Sequence, residues 1–342
     1  MKKDIKSMLP QEIEEDLSRL GEPPFRAKQI FRWLGRGAVS FQEMTDLSKS
    51  LREKLEQQYY ISSLKPLKKQ VSKIDGTIKY LWELEDGNAV ETVVMKYKHG
   101  NTVCISSQVG CRMGCAFCAS TIGGLVRNLK PSEMLDQVLY SESESGLKIS
   151  NIVLMGIGEP LDNYDNVMRF LELVNHPEGR NIGMRHISLS TCGLTEVFDK
   201  LGELNLQLTL SVSLHAPDDE TRSRLMSVNR GRGVDRLLDA CDEYYRRTGR
   251  RVSFEYAMID GVNDTEYHAR LLADKIKKTG GHVNLIPLNH VEEREFAPSS
   301  EENMRAFIKI LRKKGVNVTV RRRLGSDVDA SCGQLRRKAA KD

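Results

Sequence analysis

Three cysteines lie close together in the run GCRMGCAFCAST, spaced as Cys111-x3-Cys115-x2-Cys118. Cysteine thiolates are the usual ligands of iron-sulfur clusters, and gaps of two and three residues let one loop contact three corners of a cubic cluster. A 4Fe-4S cluster held by three cysteines keeps its fourth iron open. Because an open iron can bind and reduce another molecule, the spacing predicts a reactive cluster.

The sequence is less consistent with two other kinds of metal site. A structural zinc site wants four protein ligands, and no second C-x2-C or H-x3-H pair follows in the sequence. A ferredoxin would need a fourth nearby cysteine, which is absent. The spacing, with Phe117 just before the last cysteine, instead resembles the radical S-adenosylmethionine (SAM) superfamily. In that superfamily the open iron chelates the amino and carboxylate groups of SAM and cleaves SAM reductively.

Small and polar residues follow several predicted strands. The segment GIGEP, residues 156–160, follows the strand NIVLM. It is too short for a dinucleotide-binding fingerprint, and it lacks the lysine of a Walker A phosphate-binding loop. The next strands end with Ser190 and Thr191, with Ser213 and His215, and with Asn289. Each of these alone is more often a turn former or a structural residue. Their repetition at successive strand ends predicts a shared ligand.

The elements that position these residues alternate between short β-branched strands and helical stretches from about residue 102 onward. The predicted strands span residues 103–106, 151–155, 186–190, 207–213, 252–258, 282–286 and 317–320. Parallel strands need crossover helices, and about six such units curl into an incomplete barrel with ligands at the carboxyl ends of its strands. The predicted fold class is α/β, a partial (βα)6 barrel with a small helical N-terminal accessory domain.

Three domains follow from this reading. Residues 1–65 form the helical accessory domain, with Ile30, Trp33 and Leu34 at helical spacing in its core. Residues 66–97 form a β-hairpin connector that turns at Asp86-Gly87. Residues 98–342 form the barrel domain and a C-terminal cysteine segment.

Charge is distributed unevenly over a chain of 342 residues with a net charge of +5. Residues 312–341 hold ten basic residues against Asp327 and Asp329, namely Arg312, Lys313, Lys314, Arg321, Arg322, Arg323, Arg336, Arg337, Lys338 and Lys341. Smaller basic clusters are Arg26, Lys28, Arg32 and Arg36, and Lys65, Lys68 and Lys69. Such blocks suit a phosphate backbone, although a solvated helix face and tail would have the same composition.

The remaining four of the seven cysteines are scattered. Cys104 precedes Cys111 by seven residues, and Cys332 lies among Asp327, Asp329, Ser331 and Gly333, a context typical of an exposed thiol. Cys241 is predicted to be structural, and the sequence assigns no role to Cys192. An odd cysteine count argues against a framework of disulfides and favours a reducing compartment. No apolar stretch approaches the ~20 residues of a membrane span, so the predicted location is the cytoplasm.

Long segments across nearly the whole chain resemble one family. They are PFRAKQIFRWL, AVETV, CISSQVGCRMGCAFC, MGIGEPL, SLHAPDDETR, VNDTEYHA, NLIPLN and DVDASCGQL. These match the motifs of the RlmN family, radical SAM enzymes that methylate adenine C2 in 23S rRNA, at the peptidyl transferase centre, and in the tRNA anticodon loop. The resemblance implies two SAM molecules per turnover and one 4Fe-4S cluster on Cys111, Cys115 and Cys118.

The resemblance also assigns roles to single residues. It implies a ping-pong transfer in which Cys332 carries the methyl group as S-methylcysteine, Glu91 accepts the C2 proton, and Cys104 is the resolving thiol that forms a transient disulfide with Cys332. SAM contacts carry over to Gly158, Glu159, Ser190, Ser213, Leu214, His215 and Asn289. The implied partners are 23S rRNA, tRNA and an electron donor such as flavodoxin or ferredoxin, with a monomeric protein and no membrane.

Two alternatives to this function remain open from the sequence. A Cfr-type enzyme would use the same cysteines to methylate adenine C8 and confer antibiotic resistance; Pro160 after Glu159 favours the C2 type. A non-enzymatic iron-sulfur RNA-binding protein is the other alternative. It leaves Glu91, Cys104 and Cys332 without a purpose.

Overall fold

The N-terminal part of the molecule is a small helical module. The structure, a computed structural model, describes residues 2–289, 291, 293–328 and 335. The module contains β1 (Lys3–Asp4), α1 (Pro10–Arg19), α2 (Phe25–Gly35), α3 (Lys49–Gln58) and β2 (Tyr59–Tyr60). Ile30 and Leu34 are buried in its core as predicted, whereas Trp33 packs at the edge of that core and its indole N–H donates to Asp46 Oδ1 at 2.6 Å. An indole needs a partner for its N–H, which explains this position.

Four antiparallel strands follow the module: β3 (Lys65–Val71), β4 (Ile78–Glu83), β5 (Ala89–Tyr97) and β6 (Gly100–Cys104). The hairpin predicted around Asp86-Gly87 forms between β4 and β5. All four strands belong to the same sheet as the later strands, so the hairpin continues the barrel wall.

The barrel strands alternate with helices as the sequence predicts. After a short hairpin of β7 (Gln108–Gly110) and β8 (Leu125–Asn128), the elements are α4 (Pro131–Ser145), β9 (Ile149–Leu154), α5 (Tyr164–Asn175), β10 (Ile187–Thr191), α6 (Phe198–Glu203), β11 (Thr209–Ser213), α7 (Asp219–Leu225), α8 (Val234–Thr248), β12 (Ser253–Met258), α9 (Glu266–Ile276), β13 (His282–Pro287), α10 (Glu301–Lys313) and β14 (Asn317–Val320). The ten-stranded sheet has the order β14-β13-β12-β11-β10-β9-β6-β5-β4-β3. Strands β6 and β9 to β14 are parallel, which confirms the partial barrel.

The two faces of this sheet differ in chemistry. One face packs on the helices, where Tyr80, Trp82, Val94 and Phe254 belong to the large apolar core. Because side chains alternate along a strand, the neighbouring residues point to the other face, which lines the inside of the barrel. That inner face carries Glu91, Cys104, Ser190 and Ser213, so the chemistry predicted from sequence is gathered on one surface. Among the helices of the described part of the chain, none is long and apolar enough to cross a membrane.

A buried ion pair joins the N-terminal module to the barrel. Lys6 Nζ donates to Asp136 Oδ1 of α4 at 2.6 Å and to the carbonyl of Ser62 at 2.8 Å, while the Ser62 hydroxyl donates to Asp136 Oδ2 at 2.6 Å. Both ionic side chains have no exposed surface. Breaking such a pair leaves one charge buried without compensation, which is costlier than removing both charges.

We therefore expect Lys6→Met to lower the free energy of unfolding by about 3–5 kcal/mol, because the Asp136 carboxylate loses its buried counter-ion. Urea unfolding followed by circular dichroism measures this change. The double variant Lys6→Met/Asp136→Leu should recover most of the loss, and the single variant within about 0.5 kcal/mol of wild type would contradict the expectation.

Candidate functional site

The three clustered cysteines occupy the loop between β7 and β8. The Cys111 N–H donates to the carbonyl of Gly124 at 3.0 Å, and the Ala116 N–H donates to the carbonyl of Leu225, at the end of α7, at 2.8 Å. Gly114 lies in the left-handed region at φ +67°, and a Cβ there would lie 2.6 Å from the Ser227 hydroxyl oxygen. The loop is thus held against both its own hairpin and the end of α7.

Burial and neighbouring charge both act on the thiols of the cysteine loop. Burial raises the pKa of the Cys111 thiol to about 12, with further contributions from the charges of Cys118 and Glu159. Burial raises the pKa of Cys115 as well, and the charges of Cys118 and Cys111 add to it. Three such thiols need a cationic centre to become thiolates together.

The donor set of the loop, three cysteine thiols, suits an iron-sulfur cluster. No three His, Cys, Asp or Glu side chains among the described residues converge on a site for one metal ion. In a cubic cluster each cysteine binds a different iron, so the thiols stand further apart than the ligands of one ion. Cys111, Cys115 and Cys118 would be the residues that hold it.

Side chains outside the cysteine motif hold the backbone of this loop. The Thr121 hydroxyl lies 3.0 Å from the Cys118 carbonyl oxygen, and Arg294 Nη2 donates to the same carbonyl at 3.0 Å. The Ser227 hydroxyl donates to the carbonyl of Met113 at 2.7 Å. Sequence reasoning missed Arg294 and Ser227, because neither lies in a motif with chemical meaning of its own.

The GIGEP segment follows β9 and lies against the loop after β6. Gly158 has φ +111°, and a Cβ there would lie 2.7 Å from the backbone nitrogen of Gln108. Only glycine allows this approach. Glu159 is buried, which raises its pKa, and its carboxylate accepts from the N–H groups of Cys192 at 2.7 Å and Leu161 at 3.0 Å. The carboxylate therefore ties together the segments after β9 and β10.

His215 is held as a neutral imidazole at the end of β11. Burial and the charge of Arg222 lower its pKa to about 3. Its Nδ1 lies 2.9 Å from the backbone nitrogen of Ala257, so Nδ1 accepts and Nε2 carries the proton. The ring contacts Phe117 edge to face at 4.9 Å between centroids, which joins this strand end to the cysteine loop. A non-glycine residue at φ +57° is uncommon and is typical of functional sites.

A buried arginine organises the same region. The Arg222 guanidinium donates to the carbonyls of Leu214 at 3.0 Å, Cys192 at 2.7 Å and Ser213 at 3.1 Å. It also donates to Asn229 Oδ1 at 2.7 Å. This side chain fixes the ends of β10 and β11, and the sequence offered no signal for it beyond its place in SLHAPDDETR.

The other predicted ligand contacts lie at strand ends. Ser190 and Ser213 are half-buried on the inner face, Leu214 is fully buried, and Asn289 is exposed two residues after β13. The structure brings His215, Glu159 and the cysteine loop together. The assignment of these residues to SAM stays a prediction.

Glu91 and Cys104 share the inner face of the antiparallel strands. Val93 pairs directly with Cys104 across β5 and β6, and Glu91 lies two residues away on the same face of β5. Cys104 packs with Val93 and Met95 in a small buried cluster that Met155 and Leu324 adjoin. Glu91 is buried, with only 4% of its surface exposed.

The segment after β14 crosses the open side of the barrel. A hydrogen bond from the Arg321 N–H to the carbonyl of Leu285 of β13, at 2.8 Å, holds the start of this segment. Further along, the Gly325 N–H donates to Asp75 Oδ2 at 2.8 Å, and Asp327 accepts from the Ser72 hydroxyl at 2.6 Å and from the Lys73 N–H at 2.7 Å. Residues 321–328, the crossing segment, thus span from β13 to the turn between β3 and β4.

Cys332 itself lies outside the described residues, as do Asp329, Ser331, Gly333 and the basic residues Arg336, Arg337, Lys338 and Lys341. No disulfide joins any two of the six cysteines that the structure describes. The resolving role of Cys104 and the disulfide with Cys332 remain predictions.

Comparisons with known proteins agree with this geometry. Residues 105–272 match the family model of the radical SAM superfamily, and residues 3–61 match that of the ribosomal RNA large subunit methyltransferase N-terminal domain. A probable dual-specificity RNA methyltransferase RlmN of Alkaliphilus oremlandii is 53% identical over 335 residues, 98% of each chain. One of Thermoanaerobacter sp. strain X514 is 51% identical over 340 residues, 99% of each chain.

A solved structure agrees as well. The crystal structure of a radical SAM methyltransferase from Sphaerobacter thermophilus superposes with a TM-score of 0.92 at 43% identity, covering 97% of this chain and 98% of that one. The radical SAM family implies a 4Fe-4S cluster and SAM, which the cysteine loop fits. The predicted family is confirmed: this chain is an enzyme that belongs to the RlmN family of radical SAM RNA methyltransferases.

Proposed function

We propose that the enzyme methylates C2 of an adenosine in 23S rRNA, at the peptidyl transferase centre, and in the tRNA anticodon loop, by ping-pong transfer through Cys332. The observation that carries the mechanism is the shared inner face of Glu91 and Cys104, with the crossing segment that leads to Cys332 lying against it through Leu324. A base and a thiol share this surface, and the described segment that precedes the second thiol in the sequence contacts it through Leu324.

The chemistry of the target explains why a radical route is needed. C2 of adenine lies between two ring nitrogens and is electron-poor, so it is a poor nucleophile toward a methyl sulfonium. A thiolate, by contrast, is a good nucleophile. The Cys332 thiolate accepts a methyl group from a first SAM by displacement. When bound, the cluster and a second SAM supply a 5'-deoxyadenosyl radical.

The residues of the chain complete the reaction. The S-methyl group of Cys332 gives up a hydrogen atom, and its carbon forms a bond to C2. Glu91 takes the C2 proton, and the Cys104 thiolate attacks the Cys332 sulfur, so the S–S bond forms as the C–S bond breaks and the released carbon takes up a proton. Starting from the Cys104 thiolate, the proton lost from C2 and the proton gained by the released carbon cancel. One electron is left over, which the bound cluster would take up, and an external donor must then reduce the disulfide with two electrons.

The described SAM-side residues have matching properties. The neutral His215 presents a donor at Nε2, and Ser190 and Ser213 offer hydroxyls at neighbouring strand ends. Gly158 permits close backbone approach. We assign Gly158, Glu159, Ser190, Ser213, Leu214, His215 and Asn289 to SAM, the carboxylate of Glu159 acting by bracing the segments around it.

RNA binding is assigned to exposed cations and an aromatic ring. Phe25 is exposed and the Arg26 guanidinium lies over its ring at 4.8 Å, a pair suited to stacking on an unpaired base. Lys65, Lys68 and Lys69 are on the exposed edge strand β3. Arg32 is less available, because Nε donates to Glu178 Oε2 at 2.6 Å. We further propose a cytoplasmic monomer that receives electrons from a flavodoxin or ferredoxin.

Counting products tests this proposal. Each methylated adenosine should be accompanied by one S-adenosylhomocysteine and one 5'-deoxyadenosine, measured by liquid chromatography of an anaerobic reaction with RNA. S-adenosylhomocysteine and methylated RNA without 5'-deoxyadenosine would refute the radical route. RNA binding without any SAM cleavage would likewise contradict the proposed route.

The crossing segment makes a separate prediction. Asp327→Ala removes the carboxylate that binds Ser72 and Lys73, so we expect a loss of methylation of about 10-fold, because the segment leading to Cys332 is less well positioned. The methylation rate and the visible absorbance of the cluster are measured together. The exposed Asp239→Ala on α8 is the control. An Asp327→Ala rate equal to that of the control would contradict the prediction.

A further inference from the structure

A second buried ion pair lies on the inner face of the barrel wall, beside the predicted base. Lys79 Nζ of β4 is 2.9 Å from Glu91 Oε2 of β5, and the two side chains are 0% and 4% exposed. A lysine at this depth is rare unless a paired acid accompanies it. The pair therefore either stabilises the fold or takes part in the reaction.

The register of the strands fixes where Lys79 points. Lys79 pairs with Val93, which in turn pairs with Cys104, so the three residues form one row across β4, β5 and β6. The flanking residues Ile78 and Tyr80 belong to the apolar core on the helix side. Since side chains alternate, the Lys79 side chain lies on the same inner face as Glu91 and Cys104.

Stability alone does not account for a charged pair there. Replacing a buried ion pair by well-packed apolar residues is often neutral or stabilising, because both charges lose their hydration. The surrounding wall offers apolar neighbours in Val93, Met95 and Leu81. A carboxylate that has to accept a proton, however, must present its oxygens in a defined direction, and a hydrogen-bonded ammonium fixes the orientation of a carboxylate.

We propose that Lys79 is a positioning residue for proton abstraction: its ammonium binds Glu91 Oε2 and holds the carboxylate in a fixed orientation until the C2 proton of the RNA adduct is transferred. This inference rests on the proposed role of Glu91. In the step itself the C2–H bond breaks, its electron pair stays with the purine, and the proton bonds to a Glu91 oxygen. An ionised carboxylate accepts at several lone-pair positions, so the bond to Lys79 is compatible with proton uptake.

The proposal separates two parts of the reaction. Carbon–carbon bond formation does not need the base, whereas release of the RNA does. Without the ammonium the base is less well oriented, so the covalent protein–RNA adduct should form and then resolve slowly. Lys79→Met tests this, because methionine fills a similar volume without charge, and Lys79→Arg restores a cation that can bind a carboxylate.

The experiment uses the full-length holoenzyme and its RNA substrate in single turnover. For Lys79→Met we expect 5'-deoxyadenosine to form in normal amount, the adduct to accumulate on denaturing gels, and its resolution to slow by about 100-fold, the low end for a positioned acid or base. Lys79→Arg should resolve the adduct within about 10-fold of wild type. Lys309→Met, an exposed lysine on α10, is the matched control.

Three outcomes would overturn the proposal. They are a Lys79→Met variant that resolves the adduct at the control rate, one whose 5'-deoxyadenosine falls in parallel with methylation, and an arginine variant no better than the methionine variant. Glu91→Gln identifies failure of the underlying function separately: if that variant releases methylated RNA normally, Glu91 is not the base. The double variant Lys79→Met/Glu91→Gln should be no slower than Glu91→Gln, because both residues act in one step.

Discussion

A Cys332→Ala variant should bind a complete cluster and transfer no methyl group to RNA. The thiolate is the nucleophile that first receives the methyl group, and alanine has no atom that replaces it. We expect methylation to fall by at least about 10³-fold, the scale of losing an essential nucleophile. Iron and sulfide per chain should be unchanged, because Cys111, Cys115 and Cys118 lie on a separate loop. Labelled SAM measures the transfer, and iron and sulfide analysis measures the cluster.

The matched control for this variant is Cys241→Ala. Cys241 is a buried cysteine of α8, on the helix side of the barrel, and belongs to the apolar core. Its loss should cost some stability and leave methylation near the wild-type rate. Undiminished transfer by Cys332→Ala would exclude S-methylcysteine as the intermediate.

Cys104→Ala should instead trap RNA on the protein. Cys104 lies on the inner face in a row with Val93, and the crossing segment reaches the same cluster through Leu324. Without the resolving thiol the C–S bond to Cys332 is not broken, so the adduct persists after carbon–carbon bond formation. We expect release of methylated RNA to fall by at least about 100-fold, with a protein–RNA species on denaturing gels.

Combining the two substitutions provides the control for the trapped species. Cys104→Ala/Cys332→Ala should give no adduct, because the carbon that joins protein to RNA is never attached. Release of methylated RNA by Cys104→Ala at the wild-type rate would show that another group cleaves the C–S bond. An adduct that persists in the double variant would place the attachment on a different residue.

The sequence predicts the barrel well because its signals are local. Short β-branched runs alternate with amphipathic helices, and all seven predicted strands are present as parallel strands. The cysteine motif is also local, since the spacing of Cys111, Cys115 and Cys118 alone limits what they can bind. The family resemblance added Glu91, Cys104 and Cys332, which no spacing rule would connect.

What the sequence could not predict depends on which face of a strand is the inner one. The alternation of side chains along a strand shows that Lys79 and Tyr80 point to opposite faces, as do Glu91 and Val90. It does not reveal that the face shared by Lys79 and Glu91 is buried inside a barrel. Arg222 and Arg294 are similar cases, because their partners are backbone carbonyls far away in the chain. Such contacts carry no residue pattern, so only the folded chain identifies them.

The position of the new methyl group tests the proposed function most directly. Holoenzyme reconstituted without oxygen is incubated with 23S rRNA and with tRNA, the RNA is digested to nucleosides, and methylated adenosines are separated and identified by mass spectrometry against standards. We expect 2-methyladenosine from both RNAs. Detection of 8-methyladenosine alone would contradict the C2 assignment and favour the Cfr-type reaction.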